Sequence, residues 1–555
     1  MTLPWAPSYD PDVLHTVAPA TAPLPSLLLQ AAAQTPLAPA LIFFGRIFTY
    51  QQLADQAARL ARAFQDQGLA PGDRLAILLP NCPQFVVAYH AALRLGAVVV
   101  PLNPLLSAKE VAYQLNDAGA QRLVVLDHFL PKVEEVGDRL NLSQIIVTGL
   151  TDVLPWPLSW LYPLKARRQG LALGFKPGPG RGRWRDWLAQ PPLTIDPVPG
   201  VEDLAVLLYT GGTTGIPKAA RLSHGNLMAN VAQINAWLPH VRFGEERLVG
   251  LLPFSHSFGL TACLNWPMSQ GAQIIVLPRF EINGFIKMLR RHRPTMLPGV
   301  PTLFVALIND PRLAKLDLSA LWGCISGSAP LPVEVRDRFE ALSGCRMLEG
   351  YGLTEAGPVT HFNPVKGKRP LGSMGMPLPG TLARVMDQET GTKELPPGEV
   401  GELAIQGPQV MQGYWQRPAE TAVVLRDGWL YTGDLAHRDA DGYFYIVERK
   451  KDMIISGGYN IYPREVEEVL YQFPGVQEAV AFGVPDAYRG EVVKVVIVPR
   501  NGHALDVQEI RDFCGRQLAL YKIPKIIEFR PELPKSLVGK VLRRLLREEA
   551  AAGKH

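Results

Sequence analysis

The sequence predicts an α/β protein: a large N-terminal domain built on parallel sheets, followed by a small α+β domain. Three observations carry that reading. The chain has 555 residues, 47% hydrophobic and 19% charged, which is more than one core holds, so two or more domains are expected. Continuous apolar runs alternate with amphipathic helical patterns over most of the chain, as in a parallel sheet covered on both faces. Near Arg449 the pattern changes into a compact unit of about 105 residues, an ordinary domain size. The predicted domains are residues 1–448, with an insertion over 151–200, and residues 449–555, with a hinge near 449–452.

The elements follow in order. Thr49-Tyr50-Gln51-Gln52 has the form of a capping box; Leu53, Ala57, Leu60, Ala61 and Phe64 repeat at helical spacing until Gly68. Arg74 to Leu79 reads as a buried strand, Pro83 to Leu95 as a helix closed by Gly96, and Ala97 to Leu102 as a strand. Ser107 and Glu110 cap another helix, and Arg122 to Leu126 is a strand. From Val201 the alternation is expected to resume and to run to about Glu448. In the last unit, 453–456, Val476 to Gly483 and Val492 to Val498 read as strands. Pro463 opens one helix there, and Asp506, with Glu509 three residues on, caps another.

Residues 151–200 break the alternation. Leu154 to Pro163 is rich in Trp, Tyr and Pro, and seven basic residues with no acid follow Val153: Lys165, Arg167, Arg168, Lys176, Arg181, Arg183 and Arg185. Two readings stand: a solvated insertion whose aromatics pack on the main domain, or a peripheral membrane contact through 153–185, since Trp and Tyr beside Lys and Arg suit a bilayer interface.

Bulk properties exclude several classes. A net charge of +5 is too mild to imply nucleic acid. Five dispersed cysteines, with no CxxC pair, suggest reduced thiols rather than a disulfide frame or zinc site. The N-terminus has no basic residue before Arg46 and is broken by Pro4, Pro7, Pro11 and Pro19, so a secretory signal is not expected. No apolar run reaches a membrane span. A cytoplasmic protein, soluble or peripheral to the inner face of the membrane, is the expectation.

The chemistry concentrates in Tyr209-Thr210-Gly211-Gly212-Thr213-Thr214-Gly215-Ile216-Pro217-Lys218. Glycines let the backbone approach a ligand and turn N–H groups inward, threonine hydroxyls add donors, and Lys218 adds a point charge. That composition suits a polyphosphate. It is not the usual NTPase loop, because Pro217 precedes the lysine and Ala219 follows it, so no hydroxyl is placed for magnesium.

This loop resembles the phosphate loop of the adenylate-forming superfamily: acyl-CoA synthetases, firefly luciferase and the adenylation domains of peptide synthetases. Gly212 is a variant common among fatty-acyl enzymes; Ala219, where the family usually has Gly, is a minor departure. Six further motifs match in order, so the resemblance covers nearly the whole chain. Leu252 to Leu260 resembles the segment whose histidine, here His256, sits at the mouth of the acyl pocket. Its task would be to orient the carboxylate, which is already ionised at neutral pH. Ser326 to Leu331 resembles the adenine-binding turn, with Gly327, Ser328 and Ala329. In Glu349 to Pro358 the resemblance implies that Tyr351, beside Gly352, stacks on adenine. Thr354 would bond the α-phosphate, and Glu355 would hold Mg²⁺, a hard cation suited to a carboxylate plus substrate phosphates. Asp434 and Arg449 match the ribose contacts, and an ionised Asp can accept from two vicinal hydroxyls. Lys451 falls on the hinge position. Gly457, Gly458 and Tyr459 lie where coenzyme A passes, and Lys540 matches the catalytic lysine. Leu395 to Leu403 matches the turn into a small β subdomain, and the C-terminal domain would be mobile.

The implied activity is that of an ATP-dependent acyl-CoA ligase similar to bacterial long-chain fatty acid–CoA ligases. Acid and MgATP would give acyl-AMP, and coenzyme A would then displace AMP. The implied partners are a fatty acid, ATP and CoA; the reading allows a homodimer. A medium-chain or aryl acid ligase would share every motif. A fatty acyl-AMP ligase would stop at the adenylate. A non-catalytic adenylate-binding regulator tends to lose Glu355 or Lys540, and both are here.

Overall fold

The structure, a computed structural model, describes residues 3–171, 173–194, 198–210, 217–456, 459–486, 488–500, 503, 505–536 and 540–553. The helix starts expected at Thr49, Ser107 and Asp506 are present. Thr49, Ser107 and Ser223 each form a reciprocal capping box, opening the helices Tyr50–Asp66, Ala108–Ala118 and His224–Trp237. Asp506 caps Val507–Gln517 through two backbone N–H groups. Each cap satisfies donors that the first turn leaves without a partner.

Two large sheets form the body of the chain. The first has seven strands. Its parallel part runs Arg181–Arg183, Gln144–Thr148, Arg122–Leu126, Arg74–Leu78, Val98–Pro101 and Leu204–Thr210. The strand Lys218–Ser223 closes it antiparallel. The second has nine strands. Met347–Gly352, Gly323–Ser326, Met296–Gly299, Arg247–Gly250, Gln273–Val276 and Pro39–Phe43 are parallel, with antiparallel strands at both ends. The apolar stretches that line these strands are buried, as a sheet covered on both faces requires.

A third, antiparallel sheet contains Leu382–Met386, Gly401–Gln406, Trp429–Arg438, Leu425–Arg426 and Phe444–Arg449. A fourth is built from residues 454–529, around the long hairpin Val476–Asp486 with Gly490–Pro499. The core residues of that last unit, from Ile454 to Leu546, form clusters of their own, apart from the cluster that reaches from Trp5 to Phe444. A large N-terminal body and a smaller α+β domain therefore each have a separate core.

Two expectations are corrected. The α/β alternation does not run to Glu448: after Met347–Gly352 the strands pair antiparallel, first in a hairpin and then in the third sheet. The segment 151–200 is not wholly an insertion. Arg181–Arg183 joins the first sheet as its edge strand, and Trp184 begins a short helix and is buried. What projects is the helix Leu158–Arg168, which exposes Trp156 beside it, Trp160 and Leu164. Two of the seven basic residues are engaged within the protein: Arg181 with Glu134 at 2.6 Å and Arg185 with Asp152 at 2.5 Å. The five cysteines are buried free thiols. Among the described residues no helix is long and apolar enough to cross a membrane.

Candidate active site

Adjacent parallel strands Gly323–Ser326 and Met347–Gly352 end at the same edge of the second sheet, and the turns after them build one wall of the site. Ligands in open α/β sheets bind at such carboxyl ends. The first turn is tightly drawn. Ser328 holds φ 68°, a left-handed conformation uncommon outside glycine, and a Cβ at Gly327 would lie 2.9 Å from the Phe258 ring. Gly327 is thus packed against the segment that carries His256. Gly352 is required in a different way: a Cβ there would fall 2.1 Å from the Pro358 carbonyl oxygen of the facing strand.

Tyr351, Asp434 and Arg449 come together from three elements. The Tyr351 hydroxyl donates to Asp434 Oδ2 at 2.5 Å, and Arg449 Nε donates to Oδ1 at 2.6 Å. Asp434 and Arg449 face each other across two strands of the third sheet. The Asp434 side chain is 4% exposed, and each of its two oxygens has a partner, as a buried carboxylate requires. The Tyr351 ring is fixed by that bond and by an edge-on contact with His361. A cavity of about 270 Å³ opens beside the pair, lined by Thr432, Gly433, Arg449, Lys450 and Lys451. Burial pushes the Lys451 ammonium below its ordinary range.

Thr354 and Glu355 lie in a single turn of 3₁₀ helix, Thr354–Ala356. Thr354 Oγ1 is 3.1 Å from Ser257 Oγ, and Thr261 Oγ1 donates to the Gly357 carbonyl at 2.9 Å, so the His256 segment holds this turn from behind. His256 Nδ1 accepts from the Phe258 N–H at 3.3 Å and caps the short helix Ser257–Leu260. An accepting Nδ1 leaves the proton of a neutral ring on Nε2. Burial, helped by the Lys540 cation, lowers the His256 pKa to about 4. The ring is therefore neutral at physiological pH and serves as a donor through Nε2, in keeping with an orienting role.

Lys540 reaches this site from the small domain. Its backbone is held by Ser536, whose Oγ accepts from the Lys540 N–H at 3.2 Å. The residue keeps an exposed face, yet its ammonium sits in the combined field of Arg449, Asp434, Asp452 and Arg543 and acts on His256. Crowding by protein, then the Arg449 cation, pushes it down to about 8.

The expected phosphate loop, Gly211, Gly212, Thr213, Thr214 and Gly215, lies outside the described residues, as do Gly457 and Gly458. Its two shoulders are described. Thr210 and Lys218 are register partners, at the ends of the antiparallel strands Leu204–Thr210 and Lys218–Ser223. Tyr459 stacks on Tyr521 at 4.5 Å, on the small domain's own surface.

Sequence reasoning missed several residues. Tyr414 donates to Glu355 Oε1 at 2.8 Å, and the Lys218 ammonium lies 5.5 Å from the centre of its ring. One side chain thus touches both the candidate metal ligand and the loop lysine. Asp117 and Tyr113, on the helix Ala108–Ala118, brace the loop shoulders. Tyr209 donates to Asp117 at 2.8 Å, Tyr113 donates to the Pro217 carbonyl at 2.9 Å, and Arg417 pairs with Asp117 at 2.7 Å. None of these has a local signal; each is an ordinary polar residue until the fold joins positions 59 to 300 apart.

Comparison with known proteins agrees with this geometry. A profile described as AMP-binding enzyme matches residues 28–415, and one described as AMP-binding enzyme C-terminal domain matches residues 465–540. The chain is 44% identical over 555 residues to a long-chain-fatty-acid–CoA ligase of Bacillus subtilis, covering 100% of this chain and 99% of that protein. It is 36% identical to a feruloyl-CoA synthase of an Amycolatopsis species, covering 93% and 96%. Among solved structures it is similar to ATP-bound MatB from Rhodopseudomonas palustris, with a TM-score of 0.84 at 32% identity over 96% of this chain and 100% of the other. The apo form of the same protein gives 0.74 at the same identity and coverage. With both profiles matched in order, and relatives aligned end to end, the chain belongs to the AMP-binding enzyme family.

Proposed function

We propose that this protein is an ATP-dependent acyl-CoA ligase whose acid is a long-chain fatty acid. The observation that carries the reading is the Tyr351–Asp434–Arg449 cluster at the boundary between the domains, with the Lys540 ammonium of the small domain within the field of its Arg449 and Asp434 charges. In this reading Tyr351 presents its ring to adenine and Asp434 with Arg449 holds the ribose. The first step brings together two anions, a carboxylate and an α-phosphate. Lys540 and Lys218 supply fixed positive charge where negative charge converges, and Thr354 donates to the α-phosphate. His256 fixes the carboxylate through its Nε2–H without exchanging a proton. The phosphate loop receives the leaving pyrophosphate.

Magnesium fits the donor set. Glu355 offers a hard carboxylate oriented by Tyr414. Among the described residues no cluster of three metal-ligating side chains competes for a cation. A Mg²⁺ that arrives with ATP, held by one carboxylate and substrate phosphates, needs no more from the protein. Bound there it would neutralise phosphate charge.

The second step needs the same centre to receive coenzyme A. Domains 1–448 and 449–555, joined at a hinge around Lys451, let the small domain present Lys540 first and the face with Gly457, Gly458 and Tyr459 second. The closer likeness to the ATP-bound than to the apo MatB structure supports assigning the present arrangement to the adenylation step.

The long alkyl chain has support from the B. subtilis relative and from the buried apolar run after His256, including Leu260, Cys263 and Leu264. A second reading, an aryl acid, is favoured by the likeness to feruloyl-CoA synthase. CoA-dependent AMP release over acids from acetate to oleate, with benzoate and coumarate, separates them. Each buried methylene is worth about 0.8 kcal/mol, so kcat/KM should climb with chain length. A coumarate or acetate rate above that of a twelve-carbon acid would overturn the long-chain assignment.

We further propose that the helix Leu158–Arg168 rests on anionic membrane, where such acids partition. Trp156 is 85% and Trp160 70% exposed, beside the exposed cations Lys165, Arg167 and Arg168. That pairing suits a bilayer interface.

A further inference from the structure

Arg543 stands three residues beyond Lys540 and forks between two carboxylates that belong to different domains. Its Nη1 donates to Glu448 Oε1 at 2.8 Å and its Nη2 to Glu467 Oε1 at 2.6 Å. Glu448 lies on the strand Phe444–Arg449 of the third sheet, before Lys451; Glu467 lies on the helix Pro463–Tyr471, after it. Both carboxylates are largely buried, with side chains 5% and 14% exposed. Glu448 Oε2 also accepts the Arg464 N–H at 3.1 Å, and Arg464 Nη1 donates to the Ile446 carbonyl at 2.6 Å. The pair Arg500–Glu334, at 3.5 Å, also crosses between the bodies, but with both side chains about half exposed it is weakened by solvent.

The fork has a directional consequence. If the small domain pivots at Lys451, Glu467 travels with Arg543 and Glu448 stays behind. Asp452, 3.9 Å from Arg543 and 3.0 Å from Arg547, lies just beyond the pivot and travels too. The guanidinium therefore keeps a charged partner in either arrangement. Breaking the contact to Glu448 does not strand a buried cation, the usual large cost of separating a buried pair. A contact that is strong when made and cheap to release suits a reversible catch.

Resting on the two-step reading above, we propose that Glu448 and Arg543 are positioning residues: a charged latch across the hinge that holds Lys540 at the ATP site for the first half-reaction and must open for the second. A ligand or contact moves a two-state equilibrium only through its difference between the states, and the Glu448 contact is one that differs while Glu467 does not.

The test uses the full-length protein and both half-reactions. Acid-dependent ATP–pyrophosphate exchange reports the first; thioester formation from synthetic acyl-AMP and CoA reports the second. Glu448→Gln keeps the shape and the acceptor for the Arg464 N–H but removes the charge. It should lower exchange about tenfold or more, equivalent to about 1.4 kcal/mol, while thioester formation is unchanged or faster. Glu467→Gln weakens the same arginine's other contact without crossing the hinge and should not produce that bias. Arg543→Lys, which keeps charge but not the fork, gives a second reading should Glu448→Gln fold poorly, and should bias the ratio the same way by a smaller factor. Equal loss in both half-reactions for Glu448→Gln, no loss in either, or the same bias from Glu467→Gln would overturn the latch. Wild-type protein that performs neither half-reaction would overturn the ligase reading on which it rests.

Discussion

Removing the Lys540 ammonium should separate the two halves of the reaction by both rate and pH. In the structure this group faces a guanidinium, Arg449, and a carboxylate, Asp434, that already pair with each other at 2.6 Å. It is thus a cation beyond what local neutrality needs, poised for a substrate anion. Removing one charged donor aimed at a developing anion costs on the order of 10²–10³ in rate, and Lys540→Ala should lose acid-dependent pyrophosphate exchange by that factor. Its pKa of about 8 adds a second signature. The active form is the protonated one, so exchange by the wild type should fall as pH rises through about 8, and kcat/KM reports that free-enzyme ionisation. Lys540→Ala should lack this alkaline limb. The assay is exchange against pH for both proteins, beside thioester formation from synthetic acyl-AMP, which the variant should retain. An alkaline limb that persists in Lys540→Ala, or equal damage to both halves, would refute the assignment.

Three further outcomes follow from named contacts. Asp434→Asn removes the charge that Tyr351 and Arg449 share; hydrogen bonds to charged groups contribute about 1.5–3 kcal/mol, so ATP should bind roughly 10- to 100-fold more weakly by calorimetry, and unchanged affinity would exclude the ribose role. Tyr414→Phe removes the donor to Glu355, and loss of such an outer partner typically costs about 10- to 100-fold in metal affinity. The Mg²⁺ concentration for half-maximal exchange should rise accordingly, and a wild-type Mg²⁺ curve would dismiss the link. Trp156→Ser with Trp160→Ser should abolish sedimentation with anionic liposomes at low salt while sparing activity on a soluble acid. Binding equal to the wild type, or no binding by the wild type, would contradict the membrane contact.

How much was legible beforehand divides along physical lines. The capping boxes at Thr49 and Ser107 were readable because a cap is a contact over three residues. The buried strands were readable because parallel strands are continuously apolar. Lys218–Ser223 was not, since Lys-Ala-Ala-Arg-Leu-Ser has neither an apolar run nor clean alternation; it is held as a strand by pairing with Leu204–Thr210. Arg181–Arg183 was hidden for the same reason, being a basic edge strand inside a basic segment. At the site, residues whose type announces a task were visible in the motifs: Glu355, Asp434, Lys540. Tyr414, Asp117 and Glu448 were not, because their roles arise only when distant segments meet. The Arg543 fork illustrates this: in the sequence it is one of several arginines in a basic tail, and only the fold reveals that its two partners lie on opposite sides of Lys451 in the chain.

The central claim is that acid and ATP react first, at a site completed by Lys540, before coenzyme A takes part. Exchange of labelled pyrophosphate into ATP, measured without CoA, tests it most directly. The account predicts exchange that requires a long-chain acid and Mg²⁺ and proceeds at full rate in the absence of CoA, with AMP accumulating only when CoA is added. Exchange that is absent until CoA is present, or that proceeds equally well without any acid, would contradict it.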